Sequence, residues 1–323
     1  MCTALTYHTQ DFYFGRNLDY EQSFGECVAV TPRNFRFPLR AGGECVTRYA
    51  IIGMASVRDG FPLYYDAVNE AGLCIAGLNF VGNAVYHPAA AGKENLAQFE
   101  LIPWLLGQCA TVAEARALLA RLNITDVPFA PEMPLAQLHW LLADKDACLT
   151  VESTRDGLHV YENPVGVLTN NPPFPQQLEA LSHYAHLSAK PPVNHFPDAL
   201  PYSTFSRGLG GLGLPGDLSS QSRFIRAAFV RLNSRSGSGE AESVSQFFHI
   251  LRSVEQQRGC CELPSGDCEL TIYTSCCNAR TGVYYYTTYD GAGIAAVDLH
   301  RAPLDGETLA VYPLLAPEIQ FVN

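Results

Sequence analysis

Positive charge is scarce in this chain. Its 21 lysines and arginines stand against 32 aspartates and glutamates, a formal net charge of −11. That balance argues against nucleic acid or an anionic membrane as a partner held by bulk charge. It leaves an anionic small molecule open, provided local arginines receive it. Long apolar runs are missing too: no stretch of about 18 such residues occurs, so no membrane-spanning helix is expected. The opening MCTALTYHTQDFYFGRNLDY lacks a basic segment followed by a long apolar core, so no secretory signal is expected and a cytoplasmic protein is the default. Metal-ligand spacings are also missing. No pair of cysteines is spaced C-x2-C, and none of the 9 histidines falls into H-E-x-x-H. His139, next to Trp140 in a strand pattern, reads as a core residue. No internal repeat is present.

Cysteine itself is not scarce. There are 11, at 2, 27, 45, 74, 109, 148, 260, 261, 268, 276 and 277. An odd count in a long chain argues against a disulfide framework. The neighbouring pairs Cys260–Cys261 and Cys276–Cys277 read as small buried hydrophobes. A thiol redox or metal protein built on this cysteine-rich C-terminal part is a rival reading, weakened by the spacing.

The periodicity changes along the chain. ALTYHT and FYFGRNLDY flank Gln10 and Asp11 as a hairpin, and CVAVTP, YAIIGMAS, FPLYYDAVN and LCIAGLNF read as further strands. AQFELIPWLLGQCA is apolar at helical spacing, with Pro103 expected to interrupt it. TVAEARALLARLN carries a capping box, Thr111 with Glu114, and predicts a helix ending near Asn123. LHWLLADKDACLTVESTRDGLHVYENP reads as a strand meander. PQQLEALSHYAHLSA, SSQSRFIRAAFVRLNS and AESVSQFFHILRSV read as helices, and CELTIYTSCCN, TGVYYYTTY and IAAVDLH as strands. Strands in adjacent runs argue for antiparallel sheets with segregated helices. The longest irregular piece runs from about Pro191 to Asp217. Within it GLGGLG, Gly208 to Gly213, matches G-x-G-x-x-G. No strand precedes it and no acidic residue follows at the required distance, so it reads as loop rather than nucleotide site.

Position 2 is the unusual cysteine. Removal of Met1 leaves Cys2 with a thiol and a free α-amine on one residue. A thiol ordinarily ionises near about 8.5 and an α-amine near about 7.7–8.0, so the amine is a suitable base for the thiol proton. Against this stands an ordinary apolar strand residue, since free cysteine is mostly structural. The hairpin returns FGRNLDY beside the first strand and brings Arg16 and Asp19 near that end. An arginine beside a thiol favours thiolate, and a carboxylate beside an amine favours ammonium. An ordinary surface pair in a turn is the competing reading of Arg16 and Asp19.

The initial MCT, FGRNLD, NEAGLCIAGLNF, GVLTNNPPF, GLPGDLSSQSRFIRAAF and TIYTSCCN with YYYTTYD, in this order, resemble the choloylglycine hydrolases, the bile salt hydrolases and penicillin V acylases. The resemblance runs from Cys2 into the 280s. It implies an α+β fold, the four-layer αββα N-terminal-nucleophile hydrolase architecture with two stacked antiparallel sheets. It implies one domain over residues 2–323 with Met1 removed, amidase chemistry without a cofactor or metal, and a homotetramer. By the same resemblance Cys2 is the nucleophile, Arg16 and Asp19 flank it, and Asn170 is an oxyanion donor, with its neighbour Asn171 as the alternative. Asn79 contributes a backbone N–H to the oxyanion, and Arg223, or Arg226 one turn later, is the remaining charged member.

Two substrate classes remain within the resemblance, conjugated bile salts and penicillin V. Bile salt hydrolases resemble this chain in carrying Asn at position 79, within GLNF, where penicillin V acylases carry Tyr. A steroid needs a broad apolar wall. Tyr20, Phe61, Phe80 and Phe129 are candidates for it, each also readable as a core aromatic. Arg207, in the loop Ser206-Arg207-Gly208, is a candidate for the anionic end of the conjugate. No nucleic acid or membrane partner is expected. A binding protein that holds bile salts without cleaving them is the other rival, and it has no use for a thiol.

Overall fold

The computed structural model describes residues 1–197, 200, 203–319 and 321–322. Two large sheets face each other. The first has the strand order Val167–Leu168, Cys2–His8, Phe12–Tyr20, Leu270–Asn278, Val283–Thr288, Ala295–Asp298. The second runs Gly157–Glu162, Cys148–Thr154, Leu138–Ala143, Cys74–Asn79, Phe61–Asn69, Ile51–Arg58, Cys27–Thr31, Ala310–Pro313. Every strand pair in both is antiparallel.

Alternation along the strands of the second sheet explains the layering. Val28, Val30, Ile52, Met54, Val68, Ala76 and Leu78 point into the core shared with the first sheet. The intervening Ala29, Ile51, Ala55, Ala67 and Ile75 point the other way, onto the helices Leu101–Gln108 and Val112–Leu119. A sheet covered on both faces needs apolar side chains on both, hence the near-continuous hydrophobic runs in these strands. The outer face of the first sheet is covered by the helices Ser220–Asn233 and Glu240–Arg252, whose Phe224, Ile225, Val244, Phe247 and Phe248 are buried. The four layers are therefore helices, sheet, sheet, helices, as the resemblance implies.

Local sequence accounts for most boundaries and corrects two. Pro103 does not interrupt its helix: it is the third residue of Leu101–Gln108, where no helical acceptor exists for its missing N–H. The Thr111 hydroxyl accepts the Glu114 N–H at 3.2 Å, a cap worth about 1 kcal/mol. That helix ends at Leu119, not near Asn123. Asn123 lies in a strand, Leu122–Thr125, that pairs in parallel with Glu94–Ala97. The strands Phe12–Tyr20 and Leu270–Asn278 approach so closely at Gly15 that a Cβ there would lie 2.1 Å from the Ser275 carbonyl oxygen. Only glycine fits, and this tight seam lies directly beside Arg16.

Candidate active site

Met1 and Cys2 open the first strand, at one end of the first sheet. Cys2 pairs with Leu18, and Met1 extends the ladder one residue further: the Asp19 N–H donates to the Met1 carbonyl at 2.9 Å, and the Met1 ammonium donates to the Asp19 carbonyl at 2.6 Å. The ammonium also forms an ion pair with Glu269. Burial lowers the pKa of this amine; Cys2 and Asp19 pull it upward, while Arg223 and Arg16 push it down. Cys2 itself is only 2% exposed.

Around Cys2 the side chains are polar, buried and mutually bonded. The Cys2 N–H donates to Asn170 Oδ1 at 2.8 Å. Arg223, in the second turn of its helix, donates through Nη2 to the same oxygen at 2.7 Å and through Nη1 to Thr3 Oγ1 at 2.7 Å. It also reaches the Cys2 carbonyl. Two donors on Oδ1 fix which way the Asn170 amide points. Its Nδ2 donates one proton to the Asn79 carbonyl at 2.7 Å, which leaves the second for another acceptor. Asp19 is fully buried. Its Oδ1 accepts from Thr271 Oγ1 at 2.6 Å, its Oδ2 from Gln256 Nε2 at 3.5 Å, and Arg223 Nη1 stands 3.8 Å away. Burial lowers the Arg223 pKa, with Asp19, Cys2 and Cys261 opposing the shift.

Arg16 reaches in from the next strand. Its Nη1 donates to the carbonyls of Tyr65, at 3.1 Å, and Gly77, and its Nε to the Asn17 carbonyl at 3.3 Å. Its buried Nη2 has no hydrogen-bond partner among the described residues. Burial opposes the charge, yet Cys2, Tyr273, Asp66 and Asp19 together hold its pKa above the ordinary value. Strand alternation also places Asn79. The Phe80 N–H donates to the Gln137 carbonyl at 2.7 Å, toward the neighbouring strand. The backbone groups of Gly77 and Asn79 therefore face the opposite edge, where Arg16 and Asn170 meet their carbonyls. The Asn79 N–H lies on that same edge.

The structure thus gathers Cys2, Arg16, Asp19, the Asn79 backbone, Asn170 and Arg223 into one cluster. Asn171 is not part of it; its amide donates to the Val81 carbonyl at the surface. Arg226 is not either, being held by the Pro215 and Ser253 carbonyls. Tyr20, half-buried at the end of its strand, is close enough to Cys2 for the two charges to interact.

The other candidates for the apolar wall lie elsewhere. Phe61 and Phe129 belong to an aromatic cluster with Phe37 and Phe99, with the Arg40 guanidinium over Phe99 and Phe129. That cluster packs with the helical side of the second sheet, whereas Cys2 belongs to the core between the sheets. Phe80 is a correction: it has no exposed surface and stacks on His139 at 4.3 Å, so in this structure it is core rather than wall. His139 is likewise core, bonded to Glu152 and the Thr169 carbonyl. Arg207 is exposed in its loop. Sequence reading missed Thr271, Gln256 and Glu269. Each arrives through the strand Leu270–Asn278 or the segment before it, where the register sets Thr271 against Asp19, a pairing that no local sequence signal announces.

Among the described residues, no group of three or more His, Cys, Asp or Glu side chains is placed to hold a metal ion, and no helix is long and apolar enough to cross a membrane.

Known proteins resemble the chain over its whole length. It is 53% identical over 314 residues, 97% of each chain, to a protein of Lactiplantibacillus plantarum named bile salt hydrolase/transferase. The crystal structure of the C2A mutant of conjugated bile acid hydrolase from Clostridium perfringens superposes with a TM-score of 0.93 at 34% identity, all of both chains being covered. Penicillin V acylase from Agrobacterium tumefaciens shares the fold, with a TM-score of 0.78 at 20% identity over 98% of this chain and 92% of that one. Residues 2–312 match the family of linear amide C–N hydrolases, choloylglycine hydrolase family. With a cysteine at residue 2 amid this buried polar cluster, and this likeness from end to end, the chain belongs to the choloylglycine hydrolase family.

Proposed function

We propose that this protein hydrolyses the amide bond of glycine- and taurine-conjugated bile acids, with Cys2 as an N-terminal nucleophile. The observation that carries the reading is the Arg223–Asn170–Cys2 hydrogen-bond chain, which fixes the amide donor at the very residue that becomes the N-terminus when Met1 leaves.

The steps follow from the geometry. The free amine of Cys2 takes the thiol proton, directly or through one water. Thiolate attack on the substrate carbonyl creates an oxyanion, which the second Nδ2 proton of Asn170 and the Asn79 N–H receive. The ammonium then protonates the departing amine, leaving a thioester on Cys2. Water, activated by the same amine, releases the bile acid, so one group serves in turn as base and acid. Arg223 and Asp19 hold the amine and Asn170 in place, and Arg16 supports the thiolate. Asn at 79, with relatives named bile salt hydrolases at 53% and 36% identity, favours bile salts over penicillin V. The reading includes a cytoplasmic homotetramer, for which sedimentation gives the assembly.

The test is amine release by one purified sample fed taurocholate, glycocholate and penicillin V separately, with intact mass to confirm loss of Met1. Release of taurine or glycine is expected. Turnover of penicillin V alone would overturn the substrate, and inertness toward all three would overturn the reading. Asn170→Ala is expected to lower kcat about 10²–10³-fold with little change in KM, as for loss of one oxyanion donor. An unchanged kcat would remove Asn170 from that role.

A further inference from the structure

Asp66 lies in the strand Phe61–Asn69 of the second sheet, yet its side chain makes its hydrogen bonds to the first sheet. It is 1% exposed. Its Oδ1 accepts from Tyr273 Oη at 2.6 Å, and its Oδ2 from Tyr284 Oη at 2.7 Å and Ser275 Oγ at 2.9 Å. The Ser275 hydroxyl in turn accepts the backbone N–H of Arg16 at 3.1 Å, so its own proton points at Asp66. The Arg16 guanidinium donates to the carbonyl of Tyr65, the residue next to Asp66. Burial pushes the Asp66 carboxyl above its ordinary range, while Arg16 and the three hydroxyls pull the other way. Three donors converging on both oxygens is what an ionised carboxylate requires. A core position between two sheets is an expensive place for such a group, and packing alone does not call for it.

We propose that Asp66 is a positioning residue for the reaction: it is the buried counter-charge of Arg16, and through Arg16 it sets how strongly the Cys2 thiolate is stabilised. Arg16 has a fixed charge, a free Nη2 and two sets of anions to serve, Cys2 and Asp19 on one side and Asp66 on the other. A negative Asp66 draws the guanidinium toward itself and opposes, at Cys2, the potential that Arg16 supplies. A neutral Asp66 leaves the guanidinium free to turn to the thiolate, with its potential there unopposed. The ionisable groups facing Asp66 are Arg16, Tyr273 and Cys277, Tyr284, and Cys74, from four different strands. Only Arg16 among them is charged at neutral pH, since burial holds both tyrosines and both cysteines protonated.

The inference rests on Cys2 being the nucleophile, and its test needs no substrate. Alkylation of Cys2 in the Met1-free protein by iodoacetamide is followed by peptide mass mapping across pH. Asp66→Asn keeps the size of the side chain and removes its charge; its Oδ1 still accepts, while its amide nitrogen donates where a carboxylate oxygen accepted. The midpoint of Cys2 alkylation is expected to move about one pH unit lower, the order of a single charge acting across about 10 Å of protein. The shift is expected to shrink when Asp66→Asn is placed in an Arg16→Gln background, leaving only the direct repulsion between Asp66 and the thiolate. If Asp66→Asn does not fold, Ser275→Ala and Tyr284→Phe each strip one donor, favour the neutral carboxyl and give smaller shifts of the same sign. An unmoved midpoint in folded variants, or an equal shift without Arg16, overturns the proposal. A wild-type Cys2 that reacts no faster than Cys260 overturns the nucleophile reading and this inference together.

Discussion

A form of the protein that keeps a residue in front of Cys2 is expected to hydrolyse conjugated bile salts about 10⁴-fold more slowly than the processed form, the upper range for loss of a general base. The reason lies in one nitrogen. While Met1 is attached, the Cys2 nitrogen is a peptide N–H that donates to Asn170 and has no basic lone pair. The free α-amine then belongs to Met1, one residue away, seated on the Asp19 carbonyl and paired with Glu269. With Met1 in place, Cys2 is also almost wholly inaccessible. An N-terminal extension that a site-specific protease removes to leave Cys2 first makes this measurable. Activity is expected to rise in proportion to the fraction of Cys2 N-termini read by intact mass. An extended protein as active as the cleaved one would mean that another group is the base.

Arg223→Met is expected to cost stability as well as activity. Arg223 is fully buried, and four acceptors depend on it: the Cys2 carbonyl, Thr3 Oγ1, Asn170 Oδ1 and the Leu218 carbonyl. It is also a counter-charge of fully buried Asp19. Removing one member of such a buried pair leaves an uncompensated charge, a loss of about 3–5 kcal/mol. Denaturant unfolding should show that loss as a lower midpoint with an unchanged slope. The hydrolysis rate should fall further than Asn170→Ala lowers it, because Asn170 loses the donor that orients it and, in addition, the Cys2 carbonyl and Asp19 lose their guanidinium partner. Arg226→Met is the matched control, and it should leave kcat unaltered because its guanidinium is bonded to the Pro215 and Ser253 carbonyls. Equal effects of the two substitutions would place the role of Arg223 in helix packing alone.

Much of this fold is legible in the sequence because it is encoded locally. The hairpin from Cys2 to Tyr20, the Thr111 cap and the strand meander from Leu138 to Glu162 each carry their own periodicity and turns. What is not legible depends on partners far along the chain. Val167–Leu168 is a two-residue strand that exists because Ala4 and Leu5 offer it a ladder. Ala310–Pro313 is a strand because Cys27–Thr31 would otherwise be a bare edge. Pro103 misleads because a proline is read as a breaker before the helix start is known. Among the clustered residues, those within recognisable motifs are the ones the sequence offers as candidates: Cys2, Arg16, Asp19, Asn79, Asn170 and Arg223. Thr271, Gln256, Glu269 and Asp66 are polar residues in stretches that read as ordinary strand or loop. Nothing near them in sequence says that a β-sheet register will set Thr271 against Asp19, or that Asp66 will cross from one sheet to the other. Phe80 shows the converse, since an aromatic inside a site motif is spent on stacking against His139.

Cys2 is carried on a strand paired into the first sheet, beside Phe12–Tyr20 along its whole length and beside Val167–Leu168 at Ala4 and Leu5. Most enzymes hang their reactive groups on loops, which loosen before the scaffold does. Here no such early step is open. Inactivation by urea and loss of the global fold should follow one common curve, and the backbone amides of Ala4 and Leu5 should exchange with deuterium only as slowly as the whole molecule opens.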